Sequence, residues 1–183
     1  MSVLDATVKT LPEGTFALDP AHSSVLFEVK HLGIATVRGR FTVLSGTLEG
    51  GESPSLQGVV DIASATTDEE QRDAHLASPD FFDAQRFPQA TFRSTSFELS
   101  GDGSARVAGE LTLKGVTKEI DLTGSIAGPA TDPWGGERVG LELAGTVDRH
   151  DFGIAWNAPL PGGGFLLPDD VRIVLDVSAV KGA

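Results

Sequence analysis

Histidines and aspartates are the side chains of this sequence that offer acid, base or metal-binding chemistry. The four histidines are His22, His31, His75 and His150. They are dispersed, and none has a second potential ligand at the close spacing that metal sites often show, although folding could gather them. The spacing therefore predicts no metal site and no bound cofactor.

Two groups of residues are candidates for more specific chemistry. Arg72 and His75 stand at i and i+3 in Arg72-Asp73-Ala74-His75, where one face of a short helix would let both reach an anionic headgroup. A solvated helix face paired with nearby acids explains them equally well. Four aspartates could form paired carboxylates if burial raised one pKa, but an acidic surface is the simpler explanation. They are Asp80, Asp83, Asp148 and Asp151.

Motifs of several large enzyme classes are absent from the chain. It has no Gly-x-Ser-x-Gly, no His-Glu-x-x-His, no phosphate loop and no dinucleotide fingerprint. It has no cysteine, which excludes disulfides and thiolate chemistry. The formal net charge of -12, with no basic stripe to offset it, argues against nucleic acid as a partner.

The distribution of apolar residues indicates where in the cell the protein is expected. The longest apolar stretches, such as Phe165-Leu166-Leu167, are far shorter than the ~18 residues of a membrane span, so the sequence predicts no transmembrane segment. The first residues lack the basic start and apolar core of a secretory signal. We therefore expect a cytoplasmic protein, unless processing has removed a leader.

The elements that must position these residues are strands. Apolar and polar residues alternate with a period of two through most of the chain, and 22 glycines and 10 prolines separate the alternating segments. This pattern predicts roughly eight or nine half-buried strands. The segments are 25–29, 38–48, 56–62, 91–99, 107–113, 117–126, 139–147 and 171–180.

Short turns at 101–104 and 114–117 predict hairpins, so the simplest topology is an antiparallel meander. An all-β chain with this many strands can hide its edges by closing into a barrel, although a sandwich of two sheets produces the same alternation. At about eight strands a barrel interior accommodates one small ligand. The 183 residues fit one domain.

One segment departs from the strand pattern. Thr67-Asp68-Glu69-Glu70 reads as a capping box, which predicts a short helix over 68–77. The aromatic and charged residues between Pro79 and Pro88 complete an insertion that we expect to cover one end of the sheet. The uncharged, glycine-rich segment 157–165 suits a loop at a barrel mouth or a plain connector.

Several stretches in order and at consistent spacing resemble the YceI-like family of bacterial lipid-binding barrels. The resemblance covers the chain from about Gly14 to Ser178. The stretches that carry it are Leu18-Asp19-Pro20-Ala21-His22-Ser23, Gly39-Arg40-Phe41, Arg72-Asp73-Ala74-His75-Leu76, Ser78-Pro79-Asp80-Phe81-Phe82-Asp83, Phe87-Pro88-Gln89-Ala90-Thr91-Phe92, the segment 109–118 and Arg149-His150-Asp151-Phe152-Gly153. The resemblance implies one all-β domain over 1–183, an extended antiparallel lipocalin-like barrel with a short helical insertion, and an N-terminal extension over 1–13. Many members of the family are exported, whereas this chain shows no leader.

The resemblance also implies a non-catalytic function, the binding, sequestration or transport of a polyisoprenoid or isoprenoid-quinone-like amphiphile in the lumen. A dry interior favours such a ligand because apolar area contributes ~25 cal/mol per Å² on leaving water. The predicted ligand contacts are Phe27, Arg72, His75, Leu76, Phe81, Phe82, Phe92, Phe152 and Trp156, with Arg72 and His75 near the polar head. The same aromatics also suit ordinary core packing.

Two other hypotheses remain open at this point. One is a lipid-modifying enzyme on the same barrel, an isomerase or cyclase with His75 or Asp73 as its base, because a fold alone does not settle function. The other is a stress-response or interaction protein whose cavity is incidental. The sequence also leaves open a homodimer and a transient contact with a membrane.

Overall fold

The computed structural model describes residues 10–182, in which strands dominate and one α-helix is present. The helix is α1 (Glu70–Ala77), and short 3-10 helices occur at Pro20–His22, Ile62–Ser64 and Arg149–Phe152. The strands are β1 (Thr15–Leu18), β2 (Ser24–His31), β3 (Ala35–Phe41), β4 (Leu44–Glu49), β5 (Ser55–Asp61), β6 (Ala65–Thr66), β7 (Gln89–Leu99), β8 (Ser104–Leu113), β9 (Val116–Thr131), β10 (Glu137–Asp148) and β11 (Asp170–Lys181).

These eleven strands form a closed antiparallel barrel with eight strand positions around its circumference, which we call staves. Pairing runs β1-β4-β5-β7-β8-β9-β10-β11 and returns to β1 through the register Leu18↔Ala179. Three staves are interrupted. β1 and β2 lie end to end along the same neighbour, β11, with which they pair at Leu18↔Ala179 and Ser24↔Asp176. In the same way, β3 and β4 lie end to end in a second position of the barrel, and β5 and β6 do so in a third. The predicted barrel and meander are confirmed, and closure through β1–β11 rules out the open sandwich.

As predicted, the apolar residues of the alternating segments face the interior of the barrel, and the polar residues between them face solvent. Leu141 and Leu143 of β10 are buried while Glu142 between them is exposed, because side chains alternate between the two faces of a strand. Leu122 and Ile126 of β9, which are four residues apart and so face the same side of the strand, are also buried. The buried side chains therefore meet along the barrel axis.

The two ends of the barrel differ. We call the end with the β4–β5, β7–β8 and β9–β10 turns the packed end, because a large cluster including Phe16, Leu48 and Leu141 fills it. The other, the helical end, carries α1 with the residues after it, the β2–β3 and β8–β9 turns, and the loop between β10 and β11. A smaller cluster including Phe82 and Phe152 lies at this end.

The predicted hairpins are present. Lys114 and Gly115 alone connect β8 to β9, with φ of 51° and 76°, the left-handed pair that a two-residue turn needs to match strand twist. The Nζ of Lys114 donates to the carbonyl oxygen of Pro79 at 2.8 Å. This turn therefore anchors the insertion to the barrel.

The helix is shorter than the predicted 68–77, and the predicted capping box is wrong. α1 begins at Glu70, and the carboxylate of Glu69, rather than the Thr67 hydroxyl, accepts hydrogen bonds from backbone N–H groups of the first turn. The Thr67 hydroxyl instead donates to the carboxylate of Asp73 at 2.6 Å. Side-chain competition from within the helix thus displaces the start by two residues.

Residues 1–9 of the predicted extension over 1–13 lie outside the described residues. Leu11 is buried in the cluster at the packed end, and its carbonyl oxygen accepts a hydrogen bond from the backbone N–H of Gly51. This part of the segment therefore packs against the barrel. No helix within residues 10–182 is both long enough and apolar enough to cross a membrane.

Candidate ligand-binding site

The barrel encloses an apolar cavity of about 180 Å³ between its two clusters of buried side chains. Its wall comes from all eight staves and from the segments that cover the helical end. One water needs roughly 10–15 Å³ on this measure, so the cavity can hold a ligand with many heavy atoms. An apolar enclosed space of this kind favours an apolar ligand.

Glycines on inward positions shape the cavity. Gly39 pairs directly with Phe27 across β2 and β3, and a Cβ at Gly39 would collide with the Phe27 ring. Gly109 pairs with Ser94 rather than with Phe92, but a Cβ at Gly109 would also collide with a ring, because the Cζ of Phe92 would lie 2.5 Å from it. Each glycine thus lets an aromatic ring lie flat against the wall. Gly58 is different, because its added Cβ would meet only the carbonyl oxygen of Ser45 at 3.5 Å.

Three phenylalanines form one side of the cavity near the helical end. Phe27 lies 5.6 Å from Phe41 and 5.7 Å from Phe82, between ring centroids, and Phe41 lies 6.0 Å from Phe82. Phe82 belongs to the insertion, which places it over the barrel interior. These tilted and edge-on contacts are the favourable geometry for aromatic rings. The cluster joins β2, β3 and the insertion.

Six of the nine predicted contacts line the cavity, and three do not. The six are Phe27, Leu76, Phe81, Phe82, Phe92 and Phe152. Of the other three, His75 and Trp156 pack against Phe81, with ring centroids 4.9 Å and 5.3 Å from it and 4.8 Å from each other. Arg72 lies farther out, where its guanidinium donates to the Thr67 hydroxyl at 2.7 Å. Arg72 and His75, predicted to lie near the polar head, are therefore on the insertion outside the cavity lining.

Two threonines that precede helix α1 keep Asp73 ionised. Burial tends to raise the pKa of Asp73, but hydrogen bonds from Thr67 and Thr66 outweigh it and lower that pKa below its ordinary value. The Nε2 of His75 lies 2.9 Å from the carboxylate of Asp80, on the outer side of the insertion. Asp73 is therefore an ionised group engaged in fixing the start of the helix.

Arg149 is the only charged residue among the described residues that line the cavity, and its side chain is 4% exposed. Its Nε donates to the carbonyl oxygen of Pro168 at 2.8 Å. Its Nη1 donates to the carbonyl oxygens of Ile154 at 2.9 Å and Trp156 at 2.8 Å. Arg149 thus fastens both ends of the β10–β11 loop to the barrel.

Asn157 completes the fastening of this loop. Its side-chain amide donates to the carbonyl oxygen of Leu167 at 2.8 Å and accepts from the backbone N–H of Leu167 at 3.0 Å. Leu167 lines the cavity. The segment 157–165, predicted to be a loop at a barrel mouth or a plain connector, is therefore part of a loop at the helical end, and Leu167, just after it, lies against the cavity.

Sequence reasoning missed Arg149 and Gly58 as parts of the site. Arg149 stood in a recognised family stretch, but its partners are backbone carbonyls whose positions no residue type reveals. Gly58 lies midway between Leu56 and Val60, two residues on the inward face, and that alternation was a usable signal. The inward positions of β8, Leu111 and Leu113, could have been found in the same way.

Comparison with known proteins places the chain in a family. A family model described as a YceI-like domain matches residues 16–179. The chain belongs to the YceI-like family. A UPF0312 protein of Vibrio parahaemolyticus is 38% identical over 159 residues, which cover 81% of this chain and 84% of that protein. The resemblance noted in the sequence is thereby confirmed.

Two solved structures of similar fold agree with the barrel. Burkholderia cenocepacia BcnA has a TM-score of 0.76 and 22% identity, covering 88% of this chain and 98% of that chain. A polyisoprenoid binding domain from Saccharophagus degradans, implicated in plant cell wall breakdown, has a TM-score of 0.70 and 16% identity, covering 91% and 98%. At these identities the likeness establishes the fold.

Proposed function

We propose that this YceI-like barrel binds a polyisoprenoid or a similar amphiphilic lipid, such as an isoprenoid quinone, and carries it chemically unaltered. The observation that carries the proposal is the apolar cavity of about 180 Å³ within the closed barrel. The polyisoprenoid binding domain of similar fold supports this ligand class. Each methylene moved from water into such a cavity contributes about 0.8 kcal/mol, so affinity grows with the length of tail enclosed.

The apolar tail lies among the six predicted contacts that line the cavity, five of which are phenylalanines. The polar head lies at the helical end beside His75 and Trp156, which contact the lining residue Phe81. Arg72 is on the same insertion but is engaged with Thr67, so its contact with a headgroup has the least support.

The alternative of a lipid-modifying enzyme has less support from the geometry. Its candidate bases were Asp73 and His75, and the described cavity lining includes neither. The carboxylate of Asp73 accepts hydrogen bonds from Thr66 and Thr67, which favour its ionised form and engage its two oxygens. A binding role therefore accounts better for the residues that face the cavity.

Gly58→Leu tests the proposal because the new side chain would occupy the cavity without a backbone collision. Freshly purified wild type and variant are examined by native mass spectrometry, with solvent extraction of any bound lipid and titration with geranylgeraniol. We expect one isoprenoid per wild-type chain. We expect the variant to bind at least about tenfold more weakly, since lost contact with only two methylenes corresponds to that factor.

Gly101→Leu is the matched control, because an added Cβ at Gly101, in the β7–β8 turn of the packed end, meets nothing within 4 Å. It should bind like wild type. A folded Gly58→Leu variant with unchanged affinity would place the ligand outside the cavity and contradict the proposal. An extracted ligand whose mass changes on incubation with the protein would favour the enzyme instead.

A further inference from the structure

Two neighbouring turns at the helical end expose large apolar side chains. Leu32 and Ile34 lie in the β2–β3 turn, and the side chain of Ile34 is 83% exposed. Phe165 lies in the β10–β11 loop and is 65% exposed. The backbone N–H of Leu32 donates to the carbonyl oxygen of Leu166 at 3.1 Å, which holds the two segments side by side. We call Leu32, Ile34 and Phe165 the apolar tip.

Charge is absent from both segments that carry the apolar tip. Residues 32–37 and 152–168 contain no Asp, Glu, Lys or Arg, although the protein has a formal net charge of -12. The acidic groups therefore lie elsewhere on the chain. Lys30, paired with Thr36 at the base of the β2–β3 turn, is the nearest charge on that hairpin. A protruding, uncharged tip with a lysine behind it matches the order of layers in a bilayer, apolar beneath phosphate.

The apolar tip is continuous with the cavity wall. Leu167 lines the cavity, and Phe165, two residues earlier in the same loop, points its side chain to solvent. Val29 of β2 lines the cavity just before the turn that carries Leu32. On the β10–β11 loop the path from the exposed tip to the interior is apolar throughout, because it runs over Phe165-Leu166-Leu167. A lipid leaving a bilayer along this path would avoid water.

We propose that the apolar tip inserts into the surface of a bilayer of zwitterionic phospholipid, and that the cavity exchanges its ligand with that bilayer. This inference rests on the proposed function, because a lipid ligand resides in membranes. The acidic remainder of the protein repels anionic headgroups, so a lipid surface without net negative charge is the partner that fits. Convex, protruding side chains suit insertion among lipid chains.

Flotation with phosphatidylcholine vesicles tests the inference. The variant carries Ile34→Ser and Phe165→Ser, and the control carries Trp134→Ser and Val43→Ser, which remove two exposed apolar side chains away from the tip. All four positions are exposed, so the fold is unaffected. We expect wild type and control to float with the vesicles. The Ile34→Ser, Phe165→Ser variant should partition roughly 10- to 100-fold more weakly.

Titration with dispersed geranylgeraniol separates this inference from the proposed function. Loss of vesicle binding by the tip variant, with geranylgeraniol binding kept, supports membrane exchange through the tip. Wild type that binds geranylgeraniol but does not float overturns the tip and leaves the lipid-binding function standing. A tip variant that floats like wild type also overturns it. A monomer–dimer change in sedimentation, without flotation, would assign the tip to a second copy and overturn it.

Discussion

Replacing Arg149 with methionine should loosen the cover of the helical end and lower the free energy of unfolding. The change removes three hydrogen bonds to backbone carbonyls, of which the one to Ile154 is fully buried. A buried acceptor left without a partner costs about 1–3 kcal/mol, and the two partly buried acceptors lose less because water can replace the donor. Removing a buried charge offsets part of this loss. We expect a net destabilisation of about 2–4 kcal/mol.

Chemical denaturation and hydrogen exchange measure this effect. For a domain of this size each kcal/mol lowers Tm by about 2–4 °C. Amides of the β10–β11 loop should exchange faster in Arg149→Met, while those of β9 stay protected. The control is Asp169→Asn, because Asp169 is mostly exposed and 3.7 Å from Nη2, so it should change stability by less than about 1 kcal/mol. An Arg149→Met variant as stable as Asp169→Asn would refute the fastening role of the guanidinium.

Two further outcomes follow from other contacts. Gly39→Ala should lower the free energy of unfolding by about 1–3 kcal/mol and weaken geranylgeraniol binding, because the new methyl displaces the Phe27 ring toward the cavity. In Gly58→Ala, by contrast, the free energy of unfolding measured in denaturant should stay within about 1 kcal/mol of wild type. Equal effects would contradict this packing. Arg138, with His22, lowers the pKa of Asp19 from 3.8 to about 2, so the stability that ionised Asp19 contributes is present above about pH 4 and is lost as pH falls through 2. The stability difference between wild type and Asp19→Asn, measured by denaturation between pH 2 and 6, should therefore shrink toward the acid end, and a constant difference would contradict this expectation.

The strands were predictable because each one separates an apolar face from a polar face. Leu141, Glu142 and Leu143 illustrate this, since their alternation survives directly as buried, exposed and buried. Closure of the barrel could be favoured but not decided, because the pairing of Leu18 with Ala179 joins residues from opposite ends of the chain. Local pattern carries no information about such a distant register.

Side-chain partnerships were the part that sequence reasoning could not supply. Thr67 and Glu70 match the capping-box pattern, yet the Thr67 hydroxyl donates to the carboxylate of Asp73, and Glu69 is the N-cap of the helix. Arg149 was recognisable as part of a family stretch, but its role depends on carbonyl oxygens brought to it by a folded loop. Residue type does not reveal which backbone carbonyls a folded loop brings within reach of a guanidinium.

The hollow part of the barrel follows from the residues on its inward face. At the packed end these positions hold large side chains such as Phe16 and Leu48, and the interior there is full. Gly58, by contrast, leaves its inward position without a side chain. At about 24 cal/mol per Å³, a cavity of about 180 Å³ that holds no protein atoms corresponds to about 4 kcal/mol of packing that the protein's own side chains do not supply, a large share of the 5–15 kcal/mol typical of a domain. A ligand at about 1,000 times its Kd would contribute about the same amount. Ligand binding should therefore raise the stability of the barrel, and Gly58→Leu should reduce that gain because its side chain occupies part of the cavity.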